Sequence, residues 1–399
     1  MAKFKTFWTD NAVLGLATLV AGFFNYLYHV VLAHVLGPAG YGDLTTFLSV
    51  TSLMAIPASV VILVYTRTGR QEPAGASRLG LWLGGLGLWM SIWLFAAPLS
   101  QTFHVSAALL IIFTAEVVPG LALAANVGML QHGRLYVWVG LLGVLNAGFR
   151  VVAAGGSWWG SYRLGAVGIL EGAAAWVSWW VSRFLVRRLT VLNAHSQPVM
   201  VVATATVGII NVLYALADGL AAKYALPPVA AGLYTGMAVI GHSLQFLSGS
   251  VATVMLTAIL SDATRRYQYL SMTVAVYLTA AGCGEWILTA HGSGVVSVIL
   301  GTRFLAIVRW IPYYGWGMIC LGLLNIAMLY SVAQSRWEVI ATTGGGLVYW
   351  IWALAHDHSL GAFAVSTTHI MMVTLIVTAG MMTWAQAVQA HAKVRTDPS

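Results

Sequence analysis

The chain is built from apolar runs long enough to cross a bilayer, and this decides the class of fold before any motif is considered. A spanning helix needs about 20 consecutive apolar residues. The sequence offers about twelve such runs: residues 11–36, 44–66, 79–97, 105–130, 137–154, 164–186, 198–225, 230–260, 268–289, 308–333, 338–355 and 362–388. Only 8% of the 399 residues are charged and 59% are hydrophobic, whereas a soluble domain carries roughly 25% charged residues. Seventeen Trp and 42 Gly agree, since interfacial aromatics and close helix packing are membrane traits. The expected fold is an all-α integral membrane protein of about 12 transmembrane helices. The first run is too long for a signal-peptide core and no small-x-small site follows it, so it is expected to stay as a span.

The stretch from His34 to Arg67 sets the pattern. An apolar helix ends in Leu36-Gly37-Pro38, turns through Ala39-Gly40-Tyr41-Gly42 and restarts as a second apolar helix. Gly tolerates positive φ, and Pro fixes φ while lacking a donor. The design returns 190 positions later, where Leu226 to Thr235 lies over Leu36 to Thr45 with identity at Leu36/Leu226, Pro38/Pro228, Gly42/Gly232 and Thr45/Thr235. A two-fold internal repeat of spans is a transporter trait. The longest polar connection, Arg187 to Pro198, separates the repeats. The expected organisation is therefore 6+6: a six-helix lobe over 1–192 and a second over 193–399.

Charge orients the bundle. With a cytoplasmic N-terminus, the inner segments hold 14 of the 19 basic residues, Arg67, Arg70, Arg78, Arg187 and Arg265 among them. The outer side keeps Arg150, Arg163, Lys223, Arg303 and Arg309. The positive-inside rule places both termini in the cytoplasm, in the cell (inner or plasma) membrane. The formal charge of +8 thus belongs to membrane topology, and no nucleic-acid partner is expected.

Inside a span, polar residues in register carry the information. Asn11, Gly15, Thr18, Gly22, Asn25 and His29 recur at steps of three and four, one face of a helix. Thr204, Asn211 and Asp218 stand seven apart in the seventh run, and Glu171, Ala175, Ser178 and Ser182 recur at steps of four and three in the sixth; Pro57 is placed to kink the second. Such stripes serve as packing seams or line a polar cavity. The candidate cavity lining is Asn25, His29, Asn211, His242 and Gln245.

Charges in hydrocarbon cost roughly 3 kcal/mol or more each, so they are paired or face a cavity. Arg150 and Glu171 lie at depths differing by about 5 Å on antiparallel neighbours. Two readings are open: a structural Arg150–Glu171 ion pair, or an Arg150 that meets an anionic substrate. Lys223 and Arg309 lie near outer span ends, where they either snorkel or join Arg150 in a cationic site; the guanidinium fork suits phosphate. Glu116 stands three residues before Pro119-Gly120, and a carboxylate beside a helix break suits Na⁺ or proton coupling. Glu116, Asp218 and Glu171 are the candidate coupling residues, and Glu285, near the outer end of its run, is expected to be solvated.

Other constellations carry little. Cys283 and Cys320 make no metal or redox motif and read as packing residues. His356-Asp357-His358 has poor metal spacing, and Gly344-Gly345-Gly346 lacks the following Lys-Ser/Thr of a phosphate loop. No catalytic motif occurs, and no enzyme, metal or cofactor beyond a coupling cation is expected.

At the Gly37-Pro38-x-x-Tyr41-Gly42 turn the chain resembles polysaccharide-export (O-antigen-type) flippases of the multidrug/oligosaccharidyl-lipid/polysaccharide superfamily. Pro228 to Tyr234 looks like the equivalent turn before span eight. Leu300-Gly301-Thr302-Arg303-Phe304 resembles the element before span ten, with Phe304 where the family usually has Tyr; many relatives also have fourteen spans. The resemblance implies a V-shaped transporter that moves a polyprenyl-pyrophosphate-linked oligosaccharide, a polysaccharide precursor, to the outer leaflet by alternating access. The implied partners are membrane lipid, the lipid-linked glycan, and the glycan polymerase or glycosyltransferases of the same pathway. The alternative is a cation-coupled small-molecule or multidrug antiporter of the same superfamily. A membrane enzyme such as a glycan polymerase is disfavoured by the short outer loops.

Overall fold

The computed structural model describes residues 2–68, 76–133, 135–158, 163–187, 198–334 and 336–396, and all regular structure among them is helical. Ten helical segments among the described residues are long and apolar enough to cross a membrane. One of them, Leu19–Met54, holds two arms that meet at Gly37, and the 20-residue helix Trp337–His356 adds another. All twelve expected runs are thus helical, and the chain is a multi-pass membrane protein. Two compact units divide it, Met1–Val201 and Val202–Ser399. The expected lobe boundary at 192/193 lies outside the described residues.

In the first unit, α1 (Ala2–Met54) breaks at Gly37, whose φ of 67° and ψ of 179° fall in a region essentially reserved for glycine. The helix breaks again at Ala55 just before Pro57, and α2 (Ile56–Thr68) continues it, because Pro57 lacks the donor for the preceding turn. Next come α3 (Ala76–Phe103), α4 (Ala107–Thr114), α5 (Val117–His132), α6 (Tyr136–Gly155) and α7 (Arg163–Val186). The centre of this unit is α5, on which α2, α3 and α7 all pack, while α1 packs on α6.

The second unit repeats that order. After α8 (Pro198–Ala225), Pro227 and Pro228 open α9 (Pro228–Ser261), and α10 (Arg266–Ile299) follows. A turn at Gly301 (φ 93°, ψ 163°) and the 3₁₀ stretch Thr302–Trp310 lead into α11 (Ile311–Ala333). The unit closes with α12 (Trp337–His356) and α13 (Leu360–Thr396). Here α9, α10 and α13 pack on α11 as α2, α3 and α7 pack on α5, and α12 packs on α13 as α6 does on α7. The repeat legible at the turns is therefore a repeat of helix pairing.

Each unit exposes apolar helix faces, those of α3 and α10 among them. Leu83, Trp93, Leu94 and Phe95 of α3 are exposed, as are Met272, Val276, Trp286 and Ile287 of α10; lipid is the solvent for such faces. Cys283 shares the exposed α10 face, so only Cys320 is the buried packing residue expected of both.

Candidate functional site

The first unit gathers its intramembrane charges at one place. Span four is interrupted at Ala115 and Glu116, between α4 and α5. Pro119 cannot donate to the Ala115 carbonyl, which instead accepts the Val118 amide at 3.2 Å, while Gly120 N–H reaches the Glu116 carbonyl at 3.1 Å. At this break the Glu116 carboxylate meets the Arg150 guanidinium of α6, with Oε1 and Nη2 3.7 Å apart. The direct ion pair of Arg150 is thus with Glu116 and not with Glu171, the partner expected from depth alone. Glu171 of α7 still stands within electrostatic reach of both Arg150 and Glu116, and it is buried at 2%. From α1 the Tyr28 hydroxyl faces Glu171, yet neither that hydroxyl nor Glu171 Oε1 closes a hydrogen bond.

This arrangement holds two carboxylates around one guanidinium, so with both acids ionised one negative charge is uncompensated. Such a charge in hydrocarbon calls for a cation. The cluster is also open on one side, because the Arg150 and Glu116 side chains keep 31% and 19% of their surface accessible. Beside it His29 Nδ1 lies 2.9 Å from the Tyr41 hydroxyl, and Asn25 is half-buried. The side chains of Asn11, Gly15 and Thr18 lie outside the described residues. The stripe on α7 is a packing seam: Glu171, Ala175, Ser178 and Ser182 are all buried, and Asn126 of α5 donates to Ser182 Oγ at 2.9 Å.

In the second unit Asp218 of α8 is buried at 1% and well partnered. Its Oδ2 accepts the Tyr314 hydroxyl at 2.5 Å and the Tyr234 hydroxyl at 3.3 Å, and its Oδ1 accepts the Gly219 amide at 2.7 Å. His242 Nε2 lies 3.3 Å from the same Oδ2. Four groups on α8, α9 and α11 are thereby tied together, and Tyr234 extends the web to Thr367 of α13. Asn211 donates to Asn325 Oδ1 and Asn325 donates to Ser248 Oγ, both at 2.9 Å. Gln245 is buried with Oε1 unpartnered. The Thr204 side chain lies outside the described residues.

The three basic residues expected to share one site have different surroundings. Lys223 is buried at 2% rather than reaching out from its helix end. Arg309 is exposed, with its guanidinium over the Trp310 ring 5.0 Å from the centroid. Glu285, expected to be solvated, is buried at 3%. Thr289 donates to its Oε1 at 3.2 Å, and Oε2 has no partner.

Known structures share this architecture. A multidrug resistance MATE family transporter of the MOP superfamily in an inward-facing conformation superposes with a TM-score of 0.67 over 92% of this chain and 95% of its own, at 10% identity. The lipid II flippase MurJ in an inward closed conformation gives 0.69 over 93% and 87%, at 11% identity. A MOP superfamily transporter from Pyrococcus furiosus, whose reversed binding-pocket polarity suggests a different function, gives 0.53 over 98% and 96%, at 11% identity. The chain has the MOP transporter fold. No family model and no curated protein matches its sequence.

Within this MOP fold, charge counting along the sequence finds the ionisable members of the two clusters but passes over the tyrosines beside them. Tyr28, Tyr234 and Tyr314 are each buried at 1% or less; the Tyr234 and Tyr314 hydroxyls bond Asp218, and that of Tyr28 faces Glu171. The available signal is spacing: Tyr28 precedes His29, and Tyr314 lies five residues after Arg309 at the head of a span.

Proposed function

We propose that this protein is an alternating-access flippase that carries a polyprenyl-pyrophosphate-linked oligosaccharide to the outer leaflet, with cation binding at Glu116 and Glu171 coupled to cargo at Arg150. The observation that carries this reading is the part-exposed Arg150 guanidinium, loosely paired at 3.7 Å with Glu116 at a helix break. A guanidinium has five donors, and at this distance the carboxylate occupies none of them tightly. A pyrophosphate that takes Arg150 strips both carboxylates of their counter-charge and so raises their affinity for Na⁺ or a proton; by linkage the cation raises affinity for the anion. The MOP fold supports a transporter. The sequence resemblance at Gly37-Pro38 and Leu300-Gly301 supports the polysaccharide branch.

The test uses proteoliposomes with a labelled lipid-linked oligosaccharide, read as leaflet accessibility. Wild type should exchange label in a cation-dependent way, and Arg150→Gln should slow exchange at least about tenfold, the loss of one charge-assisted contact. Exchange that is unaffected by Arg150→Gln rejects Arg150 as the cargo site.

A cation-coupled antiporter of small molecules is the second reading, favoured by the excess of carboxylates in the first unit. Cation-driven dye efflux that survives Arg150→Ala and is lost in Glu171→Gln would select it.

A further inference from the structure

Arg309 and Trp310 end the 3₁₀ stretch that leads into α11, and the first turn of α13 stands opposite them. Gly361 presses on the Trp310 ring, where an added Cβ would fall 2.5 Å from ring carbons. Ser359 caps α13, its Oγ accepting the Ala362 amide at 3.2 Å. Between the two chain segments opens a cavity of about 530 Å³, lined by these residues together with Leu360 and Val365. That volume falls in the range of small-molecule sites.

Two kinds of surface meet there. The walls are apolar: the Trp310 ring, Leu360, Ala362 and Val365. The cavity's polar groups include several donors. The Arg309 guanidinium is exposed, and Trp310 Nε1–H is buried without a partner. The first-turn amides belong to a 37-residue helix, whose N-terminus carries partial positive charge. The acid of the α12–α13 loop, Asp357, leaves its Oδ2 unpartnered. Arg and Trp at the ends of spanning helices are the side chains that sit at headgroup level.

We propose that this cavity binds an anionic phospholipid. Arg309 holds the phosphate beside the first turn of α13, and the upper part of an acyl chain lies along the Trp310 ring, Leu360 and Val365. A free inorganic anion would leave the apolar walls unused. A zwitterionic lipid would bring its own cation up to Arg309. The cavity lies within the second unit, and its occupant is a resident lipid rather than the cargo.

The full chain, purified in detergent, is titrated with short-chain phosphatidylglycerol, with phosphatidylcholine of the same chain length, and with inorganic phosphate, and thermal unfolding is recorded. Phosphatidylglycerol should raise the midpoint saturably and the other two should leave it in place. Arg309→Gln should weaken the phosphatidylglycerol response about tenfold, the worth of a charge-assisted contact. Ala362→Leu, which fills the cavity and keeps the charge, should do the same, so the conclusion stands if either variant folds poorly. Mass spectrometry of co-purified lipid supplies a readout that does not depend on stability: wild type should be enriched in anionic lipid and both variants depleted. Equal stabilisation by phosphatidylcholine, equal stabilisation by phosphate, or unchanged phosphatidylglycerol binding in both variants overturns the proposal.

Discussion

Arg150 is held between α5 and α7, with its Nη2 3.7 Å from Glu116 Oε1 and Glu171 within electrostatic reach. Removing the guanidinium leaves two carboxylates facing each other in the membrane, whereas removing Glu116 leaves a one-to-one pair. Breaking a buried pair costs about 3 kcal/mol or more when the charge left behind has no partner. Arg150→Gln should therefore destabilise the protein more than Glu116→Gln does, and the double variant should recover part of the loss. Unfolding of the four proteins in detergent gives the cycle. Additive losses would show that the two groups do not interact.

Asp218 is enclosed by its donors, as a residue that serves the fold would be. Three donors converge on it, and it is closed off from solvent. Tyr314→Phe deletes a hydrogen bond to a charged group and should cost about 1.5–3 kcal/mol, while transport per folded molecule stays near wild type. Measuring flipping normalised to folded protein in Tyr314→Phe and Asp218→Asn checks this. Lost transport in a fully folded Asp218→Asn would move the coupling site to the second unit.

Gly37 and Gly301 occupy the same unusual backbone region, at φ 67° and 93° with extended ψ. A Cβ is strained there by about 1–3 kcal/mol whatever space surrounds it. Gly37→Ala and Gly301→Ala should each lower the unfolding midpoint, whereas Gly22→Ala, with nothing within 4 Å of its added Cβ, should not. Equal behaviour of all three variants would deny that the turns require glycine.

The helices and the repeat are legible in the sequence because hydrocarbon leaves helix as the way to satisfy every backbone group of a spanning segment, and because Gly37-Pro38 and Pro227-Pro228 mark where helices must stop. The partner of Arg150 is not legible. Depth along the axis places Glu171 beside it, but the rotation of each helix decides which carboxylate closes the pair, and the break at Glu116 turns that residue toward α6. An apolar run that ends at 289 puts Glu285 near water. The helix α10 continues to Ile299, so the residue lies well inside the span. The stem of Lys223 is long enough to reach out or to fold in, and length alone does not choose.

Glu285 also supplies the sharpest packing test. Its carboxylate rests directly against Gly315 of α11, so an added Cβ on that glycine would overlap the carboxylate. Thr289 holds Oε1, and the residue is buried at 3%, so a carboxylate pushed off Gly315 has to find room among packed side chains. Gly315→Ala should destabilise the protein by about 1–3 kcal/mol, the range for overpacking a filled core. Shortening the acid removes the obstacle, so Gly315→Ala combined with Glu285→Ala should unfold later than the sum of the single losses predicts. Contacting residues couple by about 0.5–3 kcal/mol and distant ones do not. A double variant whose losses simply add would mean that Glu285 points away from α11, and that its burial has another cause.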